Sequence, residues 1–260
     1  MAQKEEGLLA RLSPRSRAMK KKQKQIDAYV DSRLAAAREI DLSYGEIPQD
    51  KVLDMVLAGD MERIRLTLEQ TDRQAFDTAV DMLLSAETIY VTGIRSCAPL
   101  ASFLSFYLHQ IFPDVRLIAT NSMEEIFEQL IRISGDDVLI GISFPRYSMR
   151  TLKAMEFANT RSAGTIAITD SINSPLNLYS SCNLIAKSDM ASIVDSLAAP
   201  MSLINALIVA LCMRRQKEVA AYLRAEEDIW DEFQFYQRDE LNMADDEADM
   251  RLIDPGKDDA

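Results

Sequence analysis

Two short stretches gather hydroxyl and guanidinium groups directly after apolar runs, a pattern suited to holding an anion. In residues 137–158, DVLIGISFPRYSMRTLKAMEFA, the run Val138, Leu139, Ile140 and Ile142 gives way to Ser143, Pro145, Arg146, Tyr147 and Ser148. From Ser148 onward Leu152, Met155 and Ala158 recur at helical spacing, with Ser148 placed to be the N-cap. Free N–H groups at such a helix start attract anions, and Arg146 adds a fixed positive charge; a phosphate is the guest this chemistry suits. In residues 88–97, TIYVTGIRSC, a second apolar run ends in Gly93, Arg95, Ser96 and Cys97. The plainer alternative is that Ser96, Ser143 and Ser148 only cap helices while the two arginines face solvent.

The rest of the chain reads as the frame for these turns. Five short apolar segments, residues 88–93, 115–120, 137–143, 165–170 and 182–187, alternate with helical patterns. That alternation predicts an α/β fold, a three-layer α/β/α sandwich around a five-stranded parallel sheet with right-handed crossovers. With flavodoxin-like order 2-1-3-4-5, the first and third strands flank the switch point, so both turns face one crevice. Residues 51–85 read as helix, with Gly59 and Thr71-Asp72 separating the pieces. Residues 194–215 form an apolar helix bent near Pro200, whose Leu203, Ile204, Leu207, Ile208 and Leu211 suggest a face for a partner subunit, hence at least a homodimer. Residues 216–238 continue helically, Trp230, Phe233 and Tyr236 forming a packing stripe.

Charge is unevenly placed along the 260 residues, whose formal sum is −12. Residues 1–30 hold eight Lys or Arg against three acids, and residues 239–260 nine acids against two bases. We read residues 1–50 as a basic helical head and linker, 51–238 as the ligand-binding domain, and 239–260 as an acidic disordered tail. Overall acidity argues against nucleic-acid affinity through the whole surface. Cys97, Cys182 and Cys212 lack metal-ligand spacing and point to a reducing cytoplasm; no metal or cofactor is expected. Residues 191–213 are interrupted by Asp195, Pro200 and Asn205, which disfavours a membrane span.

IYVTGIRSC, VLIGISFPRYSMRTLKAMEFA and TIAITDSINSPL, in that order, resemble the sugar isomerase (SIS) domain of the RpiR (MurR/RpiR) family of sugar-phosphate-responsive bacterial transcriptional regulators. The resemblance implies a bound phosphosugar or amino-sugar phosphate, with phosphate contacts from Ser143 and Ser148 and with Ser96 and Cys97 contributing. Adding the cations and Tyr147, the candidate ligand-binding set is Arg95, Ser96, Cys97, Ser143, Arg146, Tyr147 and Ser148. Many SIS domains carry Ser-His-Ser-Gly-Glu-Thr in the main turn; Phe144, Pro145, Arg146 and Tyr147 here lose a hydroxyl and a glycine and gain a cation. Family members usually begin with a helix-turn-helix of roughly seventy to eighty residues. About fifty residues precede Lys51 here, so DNA is expected as a partner only where a complete helix-turn-helix is supplied.

Three function classes follow. An isomerase of this fold needs a base in the pocket; Tyr147 stands where relatives hold Glu, His109 lies deep in a helix, and Glu124 and Glu125 open a helix where acids favour the dipole anyway. A pure scaffold would leave Arg95 and Arg146 without a purpose. A non-enzymatic phosphosugar sensor fits best.

Overall fold

The structure, a computed structural model, describes residues 23–28, 31, 48–188 and 195–233. The chain forms two compact units, Met1–Arg215 and Gln216–Ala260. Most of the basic head and all of the acidic tail lie outside the described residues.

The first unit opens with α1 (Val52–Gln70) and α2 (Arg73–Ser85). Gly59 does not divide them: α1 runs through it, because one interior glycine costs about 1 kcal/mol against alanine, too little to end a 19-residue helix. The break falls at Thr71-Asp72, where the Asp72 carboxylate accepts from the N–H groups of Gln74 and Ala75 and caps α2.

Then strands and helices alternate: β1 (Ile89–Gly93), α3 (Ala98–Ile111), β2 (Val115–Ile118), α4 (Met123–Leu130), β3 (Val138–Ile142), α5 (Met149–Thr160), β4 (Gly164–Thr169) and β5 (Cys182–Ile185). All ladders are parallel and the order is β2-β1-β3-β4-β5, as the alternation predicts. Every residue of β1 and β3 is buried, which is why both read as near-continuous apolar runs. On one face Tyr90, Leu139 and Ala167 pack with Ile126 and Leu130 of α4 and Met155 and Ala158 of α5. The other side is covered by α2, α3 and the helix α6 (Ala198–Arg214).

Two expectations for α6 change. Pro200 falls in its first turn, where the missing N–H has no intrahelical partner, so the helix begins there instead of bending. Leu203, Ile204, Leu207, Ile208 and Leu211 are buried within this chain against its own neighbours, so they form core and offer no face to a partner. Wide apolarity without an amphipathic period marks a helix enclosed on several sides, which composition alone does not separate from an interface helix. Among the described residues no single helix is long and apolar enough to cross a membrane.

The second unit contains α7 (Gln216–Phe233). Of the aromatic stripe only the Trp230 side chain is described, and it is exposed; Tyr236 lies outside the described residues.

Candidate functional site

The site is built where β1 and β3 end side by side. Gly93 and Ile142 are register partners, so the turns that follow them leave the sheet at the same level. After β1 a single 3-10 turn, Arg95–Cys97, leads into α3. After β3 the chain passes through Ser143–Ser148 into α5, and the Ser148 hydroxyl accepts from the Thr151 N–H as the predicted N-cap. The two turns line one cavity of about 170 Å3, formed by Ile94, Arg95, Ser96, Cys97, Ser143, Phe144, Pro145, Arg146, Ser148 and Asp195. It adjoins an open groove of about 480 Å3 lined by Arg95, Met123, Arg146, Tyr147, Ser148, Met149 and Arg150. Arg95, Arg146 and Ser148 border both.

Arg95 and Arg146 have φ of 60° and 70°; the one other described non-glycine residue in the left-handed region is Ser162, just beyond the end of α5. A left-handed L-residue costs roughly 1–2 kcal/mol. Finding that conformation at both arginines of one cleft directs attention to the cleft, since strain of this kind gathers where surrounding structure holds a side chain for a task.

Each remaining candidate has a distinct placement. Ser143 is buried, and its hydroxyl oxygen accepts from the Ser148 N–H at 3.0 Å, so it ties the turn across its base. Tyr147 donates its hydroxyl to Asp170 Oδ1 at 2.7 Å and packs on the core, anchoring the turn to the end of β4. Ser96 is exposed and donates to Asp195 Oδ2 at 3.4 Å, a long bond. Burial pushes the Cys97 thiol up to about 11, against smaller opposing hydrogen bonds from the Phe144 backbone and the Ser96 side chain. Cys97 therefore sits in the cleft as a neutral thiol and links the two turns, with no thiolate to act as a nucleophile near neutral pH.

The sequence reading did not single out Arg150, Met123, Met149 or Asp195. Arg150 was legible in principle, because a residue two positions past an N-cap stands beside the same helix start. Asp195 had no such signal; the fold brings it about a hundred residues along the chain to Ser96. Glu124 and Glu125 line neither cavity: Glu124 accepts from the Ser122 hydroxyl, and Glu125 accepts from Thr120 while its N–H donates to Ser122. A hydrogen bond from its own backbone N–H, and then one from the Ser122 hydroxyl, hold the Glu124 carboxyl below its ordinary range. His109 is exposed on α3, with Nδ1 2.9 Å from the Ser105 carbonyl oxygen.

Comparison with known proteins agrees with this fold. The SIS domain family model matches residues 82–210, which include both turns and the whole sheet. An uncharacterized HTH-type transcriptional regulator of Haemophilus influenzae is 25% identical over 172 residues, 65% of this chain and 58% of that relative, so the match spans little more than half of the relative's length. The sugar isomerase domain of an RpiR transcription factor from Sphaerobacter thermophilus superposes with a TM-score of 0.66 at 25% identity, covering 68% of this chain and 99% of that one. The Vibrio vulnificus NanR protein, solved in complex with ManNAc-6P, superposes with a TM-score of 0.63 at 17% identity, covering 76% of this chain and 74% of its own. Phosphoheptose isomerase of Neisseria gonorrhoeae shares the fold as well, with a TM-score of 0.54 at 14% identity over 63% of this chain and 98% of its own, a likeness in fold alone. The chain thus carries an SIS domain, and its sheet order together with these relatives supports its place among RpiR-family SIS-domain proteins.

Proposed function

We propose that the chain is the phosphosugar-sensing part of an RpiR-type transcriptional regulator, working in the cytoplasm and binding its ligand without turning it over. The observation that carries the reading is the pair of left-handed arginines, Arg95 and Arg146, bordering one cleft at the N-cap of α5. The N–H groups of the first turn of α5 and two guanidiniums make a phosphate site, and NanR, which shares the fold, binds a phosphorylated amino sugar. Ser96, Ser148 and the Asp195 carboxylate supply donors and acceptors for sugar hydroxyls. DNA enters only where a complete helix-turn-helix is supplied.

A panel of phosphosugars in a thermal-shift assay tests this. A ligand at a hundred times its Kd stabilises the fold by about 2.7 kcal/mol, a shift of several degrees for a domain of this size. No shift with any phosphosugar, in protein with native circular dichroism, would overturn the sensor reading. The isomerase reading has one observation in its favour, since Asp195 is a carboxylate lining the smaller cavity. Aldose–ketose turnover in the wild type that Asp195→Asn abolishes would establish it in place of the sensor.

We further propose that the chain assembles as at least a dimer, through α1. Leu53, Leu57, Met61, Ile64 and Leu68 follow one another at spacings of three or four and are 37–68% exposed, with Val52, Met55 and Val56 beside them. Eight large apolar side chains along roughly 28 Å of helix offer a patch on the scale of the ~800 Å2 that each partner buries in a standard interface. A second copy is the natural occupant, since an isologous contact pairs such a patch with itself. Light scattering at micromolar concentration should give a dimer or larger for the wild type and a folded monomer for Leu57→Glu combined with Met61→Glu. A monomeric wild type would sink the proposal.

A further inference from the structure

We propose that the groove takes a ligand with two separate anionic groups: a phosphate and, apart from it, a carboxylate or a second phosphate. The inference rests on the phosphosugar reading and narrows its ligand class. Arg95, Arg146 and Arg150 all line the wider groove, and no described carboxylate lines it with them; Asp195 belongs to the smaller cavity. A bound phosphate monoester carries about −1.5 to −2 at neutral pH, which two guanidiniums and the helix start already match. The third cation is surplus to one phosphate.

Most described arginines elsewhere are used differently. Arg63, Arg65, Arg116 and Arg214 pair with carboxylates, Arg161 and Arg215 lie over the rings of Phe157 and Phe112, and Arg73 donates to the Leu68 carbonyl, while Arg132 and Arg224 make no ion pair with a described residue. Among the described residues no ion pair involves Arg95, Arg146 or Arg150. In a protein of net charge −12, three such guanidiniums around one groove repel each other, and the one described carboxylate that lines a cavity with two of them, Asp195, lies in the adjoining cavity and not in the groove.

Arg150 also sits against the local field. It is the second residue of α5, whose first turn holds no acid, and the positive end of a helix dipole disfavours a cation there. The first turn of α4 shows the usual arrangement, with Glu124 and Glu125. A cation at the wrong end of a helix, opening onto a groove with two more, is accounted for by an anion that lies between them. The division of space agrees: the small cavity between the turns suits the hydroxyl-bearing part of a ligand, and the groove gives room for a second charged end.

Matched probes decide it. Glucose 6-phosphate against 6-phosphogluconate tests an added carboxylate, and fructose 6-phosphate against fructose 1,6-bisphosphate tests an added phosphate; calorimetry on the full chain gives all four Kd values at one ionic strength. In at least one pair the doubly anionic member is expected to bind ten-fold or more tightly, which also identifies the second group. Arg150→Gln should collapse that ratio to below two-fold, and Arg150→Lys, which keeps the charge, should retain part of it. Equal affinities within both pairs, or a ratio that survives Arg150→Gln, would overturn the inference while leaving the sensor reading standing. If no phosphosugar binds at all, both fall together.

Discussion

Arg146→Ala is expected to weaken phosphosugar binding by about 1.5–3 kcal/mol, the range for hydrogen bonds to charged groups, or roughly ten- to 150-fold in Kd. The guanidinium borders both the small cavity and the groove, and the backbone beneath it is held at φ 70°. Ser143→Ala should cost less in affinity, about 1 kcal/mol, because its hydroxyl oxygen closes the turn through the Ser148 N–H. Arg146→Gly separates function from strain. Glycine occupies the left-handed region without penalty, so that variant should be at least as stable to denaturant as Arg146→Ala while binding no better. Calorimetry and urea denaturation on the three variants check all of this. Unchanged affinity in Arg146→Ala would move the anion site to Arg95 and the first turn.

Much of the fold was legible because its signals are local. Short apolar runs, two of which lead directly into turns bearing Ser and Arg, state where strands stop and where a ligand-facing turn begins; the crossover rule and the alternation then leave few sheet orders. Four of the observed strands are a residue or two shorter than the expected segments and β4 is shifted back by one, which leaves residues such as Ser143 and Asp170 just past the carboxyl ends. What failed was information that only packing holds. Whether the apolar face of α6 meets its own core or a partner is decided by which helices close over it, and here α1, α2 and α3 do so. At α1 the periodicity predicts the helix but not its surroundings: Val52, Met55 and Leu68 stand exposed, and an apolar helical stripe looks the same whether it is buried in one chain or between two.

The candidate site divides the same way. Its turn residues lie in two continuous segments and could be named from sequence, but their division of labour could not. That Tyr147 reaches Asp170 and that Ser143 holds the Ser148 N–H follow from distances across the turn. That Asp195 joins the cleft follows from tertiary placement alone.

The second large effect is expected from a glycine that carries no chemistry. Gly93 ends β1, and a Cβ at that position would stand 2.7 Å from the Cys97 carbonyl oxygen and 3.1 Å from the Ala101 Cβ. The first contact is with backbone, so no side-chain rotation relieves it, and the second is with a buried residue of α3. Room for a methyl group exists only if the turn Arg95–Cys97 moves off the end of the strand, taking Arg95, Ser96 and Cys97 away from the cleft they share with Arg146. Gly93→Ala should therefore lose about 1–3 kcal/mol of stability through overpacking. It should also lose most ligand affinity, although it removes no group that touches ligand. Gly135→Ala is the matched control: the nearest atom to its added Cβ is the Ser162 carbonyl oxygen at 3.6 Å, an ordinary contact. Chemical denaturation and titration with whichever phosphosugar shifts the wild type compare the two. A Gly93→Ala protein as stable as Gly135→Ala, with wild-type affinity, would show that the turn does not need the close approach seen here, and that the cleft tolerates displacement of its first arginine.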